Sequence, residues 1–319
     1  MFNLRTMLIW LALLLSSSVF AQTQAEAQTQ APTGQAEVVA QAAALPAYSR
    51  EQAMTVAALN GIQIAYTEAG DPNGEPVLLI MGLTGSHRLW GEDYVIGLVA
   101  AGYRVVLFDN RDTGQSARLD ELGTPTLWWE MLKNVIGFGV NAPYSLGDMA
   151  DDGIAVLDEL GIDQAHIVGA SMGGMIAQTI AARYPERTSS LVSIMSTTGA
   201  PHLPEASGEA QGDLMDIGAA EDGDQVARLH DIGIHPEAMP RQLMAIVAAG
   251  DRSGEVATIA VPTLVQHGSN DPLLPPAHGQ HTAETIQGAS YREYAGMAHD
   301  MPAEVVPQLI ADMVAHFQN

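Results

Sequence analysis

Three short stretches of this 319-residue chain carry side chains that could act together as nucleophile, acid and base. The first is His166-Ile-Val-Gly-Ala-Ser171-Met-Gly-Gly, where Gly169-x-Ser171-x-Gly173 follows an apolar run and precedes a helical one. A sharp strand-to-helix turn at this point lifts the serine hydroxyl clear of the backbone, and the flanking glycines let neighbouring chain come close. A serine hydroxyl is a weak nucleophile at neutral pH, so a base must stand beside it and a third group must orient that base. Asp271, in His267-Gly-Ser-Asn-Asp271-Pro, and His299, in Gly296-Met-Ala-His299, supply the two groups in the chain order Ser, Asp, His.

Each partner has competitors. Asp271 precedes Pro272 and could serve only to cap a turn. Asp300 adjoins the histidine, but the side chains of sequence neighbours rarely face each other, so it is a poor orienting group. His267, His278 and His281 lie near the acid loop and read as surface or structural histidines. His299 is preferred because its loop follows the terminal strand. The oxyanion formed during acyl transfer needs two backbone N–H donors aimed at one point, one from the residue after the nucleophile and one from the loop after the third strand. Met172 and Leu83 fill these positions, with Gly82 allowing the turn that aims the Leu83 amide inward.

The elements that must position these groups alternate between strand and helix. Met54–Leu59 and Ile62–Glu68 flank Asn60-Gly61, a dipeptide suited to the positive φ angles of a tight hairpin, and predict two antiparallel edge strands. Short apolar runs follow at Val77–Met81, Arg104–Asp109, His166–Gly169, Leu191–Met195 and Thr263–Gln266, with a more polar one at Ser290–Tyr294. Helical patterns at Tyr94–Ala101, Leu146–Leu160 and Met172–Tyr184 separate them, which predicts an α/β fold with a mostly parallel, doubly wound sheet. Residues 118–145 and 199–256 interrupt the alternation. Both should cover a pocket, the second as a small helical cap that includes Pro240–Ala249. Trp128, Trp129, Ile136 and Phe138 in the first insertion are expected to pack on the sheet, with pocket lining as the second reading and dipping into lipid as the third.

With these segments placed, the chain resembles the α/β-hydrolase superfamily over about residues 53 to 318, and within it the branch of aclacinomycin methylesterase and related small-ester hydrolases. The resemblance is carried by Leu79-Ile-Met-Gly-Leu-Thr-Gly, Phe108-Asp-Asn-Arg-Asp-Thr-Gly-Gln-Ser116, Asp148-Met-Ala-Asp-Asp152, the serine turn, Pro262-Thr-Leu-Val-Gln-His-Gly268 and Gly296-Met-Ala-His299. It implies Ser171, Asp271 and His299 as nucleophile, acid and base, and Leu83 and Met172 as oxyanion donors. Many relatives have His-Gly where this chain has Met81-Gly82, a departure that the methylesterase branch shares and that bears on pocket polarity. Arg111 and Asp112 are expected to be structural, fixing a loop beside the site.

Bulk properties narrow the partners. With 47% hydrophobic residues the chain can bury a full core, as one domain over 49–319. Acidic residues outnumber basic ones 37 to 13, so nucleic acid is excluded as a partner and an anionic substrate would be drawn in poorly. Arg5, the apolar run Met7–Leu15 and the small residues ending at Ala21 read as a secretory signal peptide over 1–21, and 22–48 as a disordered spacer. A periplasmic or secreted protein without stable membrane insertion is expected. The chain has no cysteine, which rules out a disulfide framework and a cysteine nucleophile. It also has no dinucleotide glycine loop, phosphate loop or evident metal-ligand cluster, so neither cofactor nor metal is expected. The leading expectation is hydrolysis of a small ester. The same groups could instead serve carbon-carbon bond hydrolysis or peracid formation, or the scaffold could act as a non-catalytic ligand receptor.

Overall fold

The computed structural model describes residues 48–218 and 223–319. The leader expected at 1–21 and nearly all of the spacer expected at 22–48 lie outside the described residues.

In chain order the elements are β1 (Thr55–Leu59), β2 (Ile62–Ala69), β3 (Glu75–Ile80), α1 (Glu92–Ala100), β4 (Tyr103–Phe108), α2 (Leu127–Val135), α3 (Leu146–Glu159), β5 (Ala165–Ala170), α4 (Met172–Arg183) and β6 (Thr188–Ile194). The cap region then supplies α5 (Gly208–Gly218), α6 (Gly223–Asp231), α7 (Met239–Ala249) and the short α8 (Ser253–Val256). The chain returns to the sheet with β7 (Thr263–Gly268), α9 (Ala277–Thr285), β8 (Ser290–Tyr294) and α10 (Val306–Phe317). The eight strands form one sheet in the order β1-β2-β4-β3-β5-β6-β7-β8. β1 and β2 pair antiparallel, β2 runs antiparallel to β4, and the remaining pairs are parallel.

The predicted hairpin forms with Leu59 opposite Ile62, and Asn60 and Gly61 take φ of 47° and 81°. Of these two strands, however, only β1 lies at an edge. β2 is covered on its other side by β4, which corrects the expectation of two edge strands. Its burial accords with this: Ile64, Ala65 and Tyr66 are buried one after another, as in a strand covered on both faces, whereas β1 is largely exposed up to Leu59.

Strand periodicity divides the core into two layers. Leu78, Ile80, Val106, Phe108 and Ile167 point to one face, where they meet Met149 and Leu157 of α3 and Ile176 and Ile180 of α4. Val77, Leu79, Val105, Leu107 and Val168 point to the other, against Tyr94 and Leu98 of α1 and Leu309 and Met313 of α10. α3 starts on a reciprocal cap. Ser145 Oγ accepts the Asp148 N–H at 3.1 Å, and Asp148 Oδ2 accepts the Ser145 N–H at 2.7 Å, which satisfies donors that the first helical turn would leave bare.

Trp128, Trp129, Ile136 and Phe138 do not pack on the sheet. They are 54%, 48%, 59% and 82% exposed, on and just after α2. The buried face of α2 is instead anchored by Glu130, which pairs with Lys133 at 2.7 Å and accepts the Asn141 N–H.

Candidate active site

Parallel strands deliver the loops at their carboxyl ends to one edge of the sheet. Ser171 follows β5 directly, Asp271 lies in the loop after β7, and His299 lies in the loop after β8. Chain order also reverses between β3 and β5, which are sheet neighbours although β4 intervenes in sequence. The loops after these two strands therefore diverge from a common point, where such sheets open a crevice.

The turn at Ser171 has a physical cause. Its φ of 56° and ψ of −121° fall where a side chain is rarely tolerated, at a cost of about 1–3 kcal/mol that the surroundings must offset. The Ser171 N–H donates to Ile194 O at 2.9 Å, and its carbonyl accepts Ser196 Oγ–H at 2.8 Å. A Cβ at Gly169 would lie 2.1 Å from Gly173 O, and one at Gly173 would lie 2.0 Å from Ile80 O. Both positions must therefore be glycine for β5, α4 and the end of β3 to pack this closely.

The three predicted side chains meet. Ser171 Oγ–H donates to His299 Nε2 at 2.9 Å, and His299 Nδ1–H donates to Asp271 Oδ2 at 2.7 Å. The Asp271 side chain is wholly buried and that of His299 is 18% exposed, so the relay runs from the interior to an accessible hydroxyl. Asp271 also caps a turn, because its Oδ1 accepts the N–H groups of Leu273 and Leu274 at 2.9 and 2.8 Å. The two readings of this residue are thus compatible, one for each oxygen.

Burial pushes the Asp271 carboxyl up, but hydrogen bonds from His267 and His299, the adjacent His299 and the Leu274 N–H outweigh it and hold the group well below the usual carboxylate range. Asp271 is therefore an ionised acceptor at neutral pH. His267 is the neighbour that sequence reasoning set aside. It is fully buried, donates to Leu274 O at 2.7 Å and stands 3.5 Å from Asp271 Oδ2. Gly279 leaves room for its ring, since a Cβ there would lie 2.4 Å from His267 Nδ1. His278 bonds Thr197 Oγ1 and Pro204 O, His281 bonds Thr198 Oγ1, and Asp300 accepts the Ala298 N–H.

The loop after β3 lies against Ser171, with a Cβ placed on Gly82 only 2.9 Å from Ser171 Cβ. Within that loop the Thr84 N–H donates to Gln242 Oε1 at 2.7 Å and the Gly85 N–H to Gly82 O at 3.0 Å. Thr84 has a positive φ of 60°, a strained value for a β-branched residue, and Gln242 of α7 holds it there. Gln242 also donates to Arg111 O at 2.8 Å. No sequence signal marks this residue, because its partners lie far away in the chain.

Arg111 and Asp112 pair with other elements. Arg111 forms a two-pronged bond to Asp152 of α3 at 2.7 and 2.8 Å, and Arg241 of α7 forms one to Asp112 at 2.8 Å. Tyr144 adds a hydrogen bond to Asp112 at 2.7 Å. These contacts fasten α3 and α7 to the loop after β4. A cavity of about 630 Å³ lies beside that loop, bordered by Ser86, His87, Asp109, Gly114 and Gly233. None of Ser171, Asp271 and His299 lines it.

Residues 75–219 match the model of a family described as alpha/beta hydrolase fold. The rhodomycin D methylesterase DauP of Streptomyces sp. (strain C5) is 30% identical over 293 residues, spanning 77% of this chain and 92% of the relative. A meta-cleavage product hydrolase from Pseudomonas fluorescens, CumD, is 26% identical with a TM-score of 0.61, covering 83% of this chain and 97% of that one. The enol-lactonase from Burkholderia xenovorans superposes with a TM-score of 0.64 at 22% identity, covering 83% of this chain and 100% of that one, a likeness of fold.

Proposed function

Because the chain belongs to the alpha/beta hydrolase fold family, we propose that it is a serine hydrolase cleaving a small, apolar carboxylic ester through an acyl-enzyme on Ser171. The observation that carries this reading is the continuous relay from Ser171 Oγ through His299 to Asp271, at 2.9 and 2.7 Å.

In the first half-reaction His299 Nε2 takes the Ser171 proton as Oγ attacks the carbonyl carbon, and the carbonyl electron pair moves onto oxygen. The N–H groups of Leu83 and Met172 receive that oxyanion. Thr84 and Gly85 donate elsewhere, which supports Leu83 as the donor from the loop after β3. Met172 opens α4, where the positive end of the helix dipole adds to the stabilisation. As the tetrahedral carbon collapses, the alkoxide leaves with the proton from His299. In the second half His299 takes a proton from water, the hydroxide displaces Ser171 Oγ from the acyl carbon, and the proton returns to Oγ. Asp271 remains ionised throughout and holds His299 in the tautomer that presents Nε2 to the serine.

The surplus of acidic residues disfavours an anionic substrate. The leader pattern ending at Ala21 supports export and cleavage after that residue, which N-terminal sequencing of the mature protein would test. For the activity, the experiment is labelling by a fluorophosphonate together with turnover of short-chain nitrophenyl esters. One label per chain on Ser171 and a burst of nitrophenol are expected. An unlabelled, inactive wild-type protein overturns the reading.

The likeness to CumD favours a second reading, carbon-carbon bond hydrolysis by the same three residues. Side-by-side turnover of esters and of vinylogous diketones decides between them.

A further inference from the structure

We propose that His230, His235 and Glu237 form a binding site for a divalent transition-metal ion of the zinc class, which clips the segment between α6 and α7 to the core. Each residue offers one ligand atom, and the three atoms lie within 4.8 Å of one another. Two imidazole nitrogens with one carboxylate oxygen suit zinc and its neighbours rather than calcium or magnesium, which take oxygen ligands.

His235 has the orientation that such a ligand requires. Its Nε2–H donates to Gly114 O at 3.0 Å, which fixes the tautomer and leaves the lone pair on Nδ1. Nδ1 is buried and has no hydrogen-bond partner among the described residues. A metal-bound histidine typically donates its other ring N–H to a carbonyl in this way. Glu237 is oriented too. Its Oε1 accepts Arg118 at 2.7 Å, while Oε2 faces His230 Nε2 at 3.4 Å. The His230 and His235 rings are tilted by 57° with centroids 4.9 Å apart, so their edges converge without stacking.

A tetrahedral zinc site draws its ligand atoms to about 3.3 Å from one another. His230 and Glu237 are exposed, so rotation of their side chains closes the remaining gap while His235 stays fixed. Arg118 shares Glu237 with the ion, and its positive charge weakens binding. His230 closes α6, His235 is extended, and Glu237 lies in the 3-10 turn Pro236–Ala238, so their spacing matches no helical ligand pair.

The role is mechanical, since none of Ser171, Asp271 and His299 belongs to the cluster. The segment already meets the core through Gly114 N–H to Gly233 O at 2.8 Å, Ser86 Oγ–H to Ile232 O at 2.6 Å, and Arg88 to Asp231 O. A bound ion would link the end of α6 to the turn before α7 and, through His235, to Gly114.

The test is isothermal titration of zinc chloride into full-length protein prepared without a polyhistidine tag, paired with thermal unfolding with and without zinc. One ion per chain and a raised unfolding temperature are expected. His230→Ala and Glu237→Gln, both at exposed positions, should weaken binding at least ~10-fold. His202→Ala removes an imidazole that pairs with His281 elsewhere and should leave binding unchanged. Absence of zinc binding by the wild type overturns the proposal. So does a bound ion that His230→Ala and Glu237→Gln leave in place, or that His202→Ala loosens equally.

Discussion

Gln242, on a helix inserted after β6, accepts the backbone N–H of Thr84, 158 positions earlier, at 2.7 Å in a buried setting. Through this bond the cap fixes the conformation of the loop that carries Leu83. The contact ties α7 to the loop beside Ser171, because the loop after β3 would otherwise have to hold Thr84 at positive φ unaided.

Gln242→Ala should therefore lower kcat for a nitrophenyl ester by ~10- to 100-fold with little change in KM, a fraction of the loss seen when an oxyanion donor is removed outright. Gln242→Glu keeps the acceptor for the Thr84 N–H but sets a carboxylate oxygen against the Arg111 carbonyl in place of the donor, so it should recover no more than part of kcat. Equal kcat in all three proteins would show that Gln242 is only packing.

Ser171→Ala and His299→Ala should each lower kcat by about 10⁴- to 10⁶-fold, and Asp271→Asn by about 10⁴-fold. The double variant Ser171→Ala/His299→Ala should be no worse than either single change, because the groups act as one unit. Steady-state rates on one ester, with the fold verified by circular dichroism, check this.

Gly173→Ala would place a Cβ 2.0 Å from Ile80 O and 2.7 Å from Met81 O, both backbone atoms that cannot move aside cheaply. A loss above ~4 kcal/mol, or no soluble protein, is expected from such overpacking. Gly254→Ala meets nothing within 4 Å and serves as the control, with a change within about 1 kcal/mol. Urea unfolding measures both.

Asp112→Asn would take from the buried Arg241 guanidinium its two-pronged partner, leaving the exposed Asp120 carboxylate at 2.9 Å, and should cost up to about 3 kcal/mol at pH 7. Burial pushes the Asp112 carboxyl up, but Arg241, the Leu119 N–H and Tyr144 pull it below its ordinary 3.8. A carboxyl with a depressed folded value stabilises the protein above its unfolded pKa, and that contribution is lost as pH falls through the folded value. Asp271 works in the same direction, whereas Asp152, which burial pushes up, works in the opposite one. The wild type should thus lose its advantage over Asp112→Asn as pH falls below about 3.9. Urea midpoints of the two proteins at pH 7, 4 and 3 test it, and a constant gap would contradict the account.

The parts legible in the sequence are those with local causes. Gly169-x-Ser171-x-Gly173 could be read because only glycine fits beside a serine held at positive φ, and that requirement is written within five consecutive residues. The buried strands were legible as apolar runs, and Asn60-Gly61 as a turn, for the same reason. Tertiary structure alone decided that β2 is an interior strand, that Trp128 and Phe138 face outward, that His267 stands over Asp271, and that Gln242 and Arg241 of the cap reach Thr84 and Asp112. A lone glutamine, arginine or histidine carries no trace of its partner. Its role is set by which distant backbone or side-chain group folding brings within hydrogen-bond reach, and by the burial that makes that bond count.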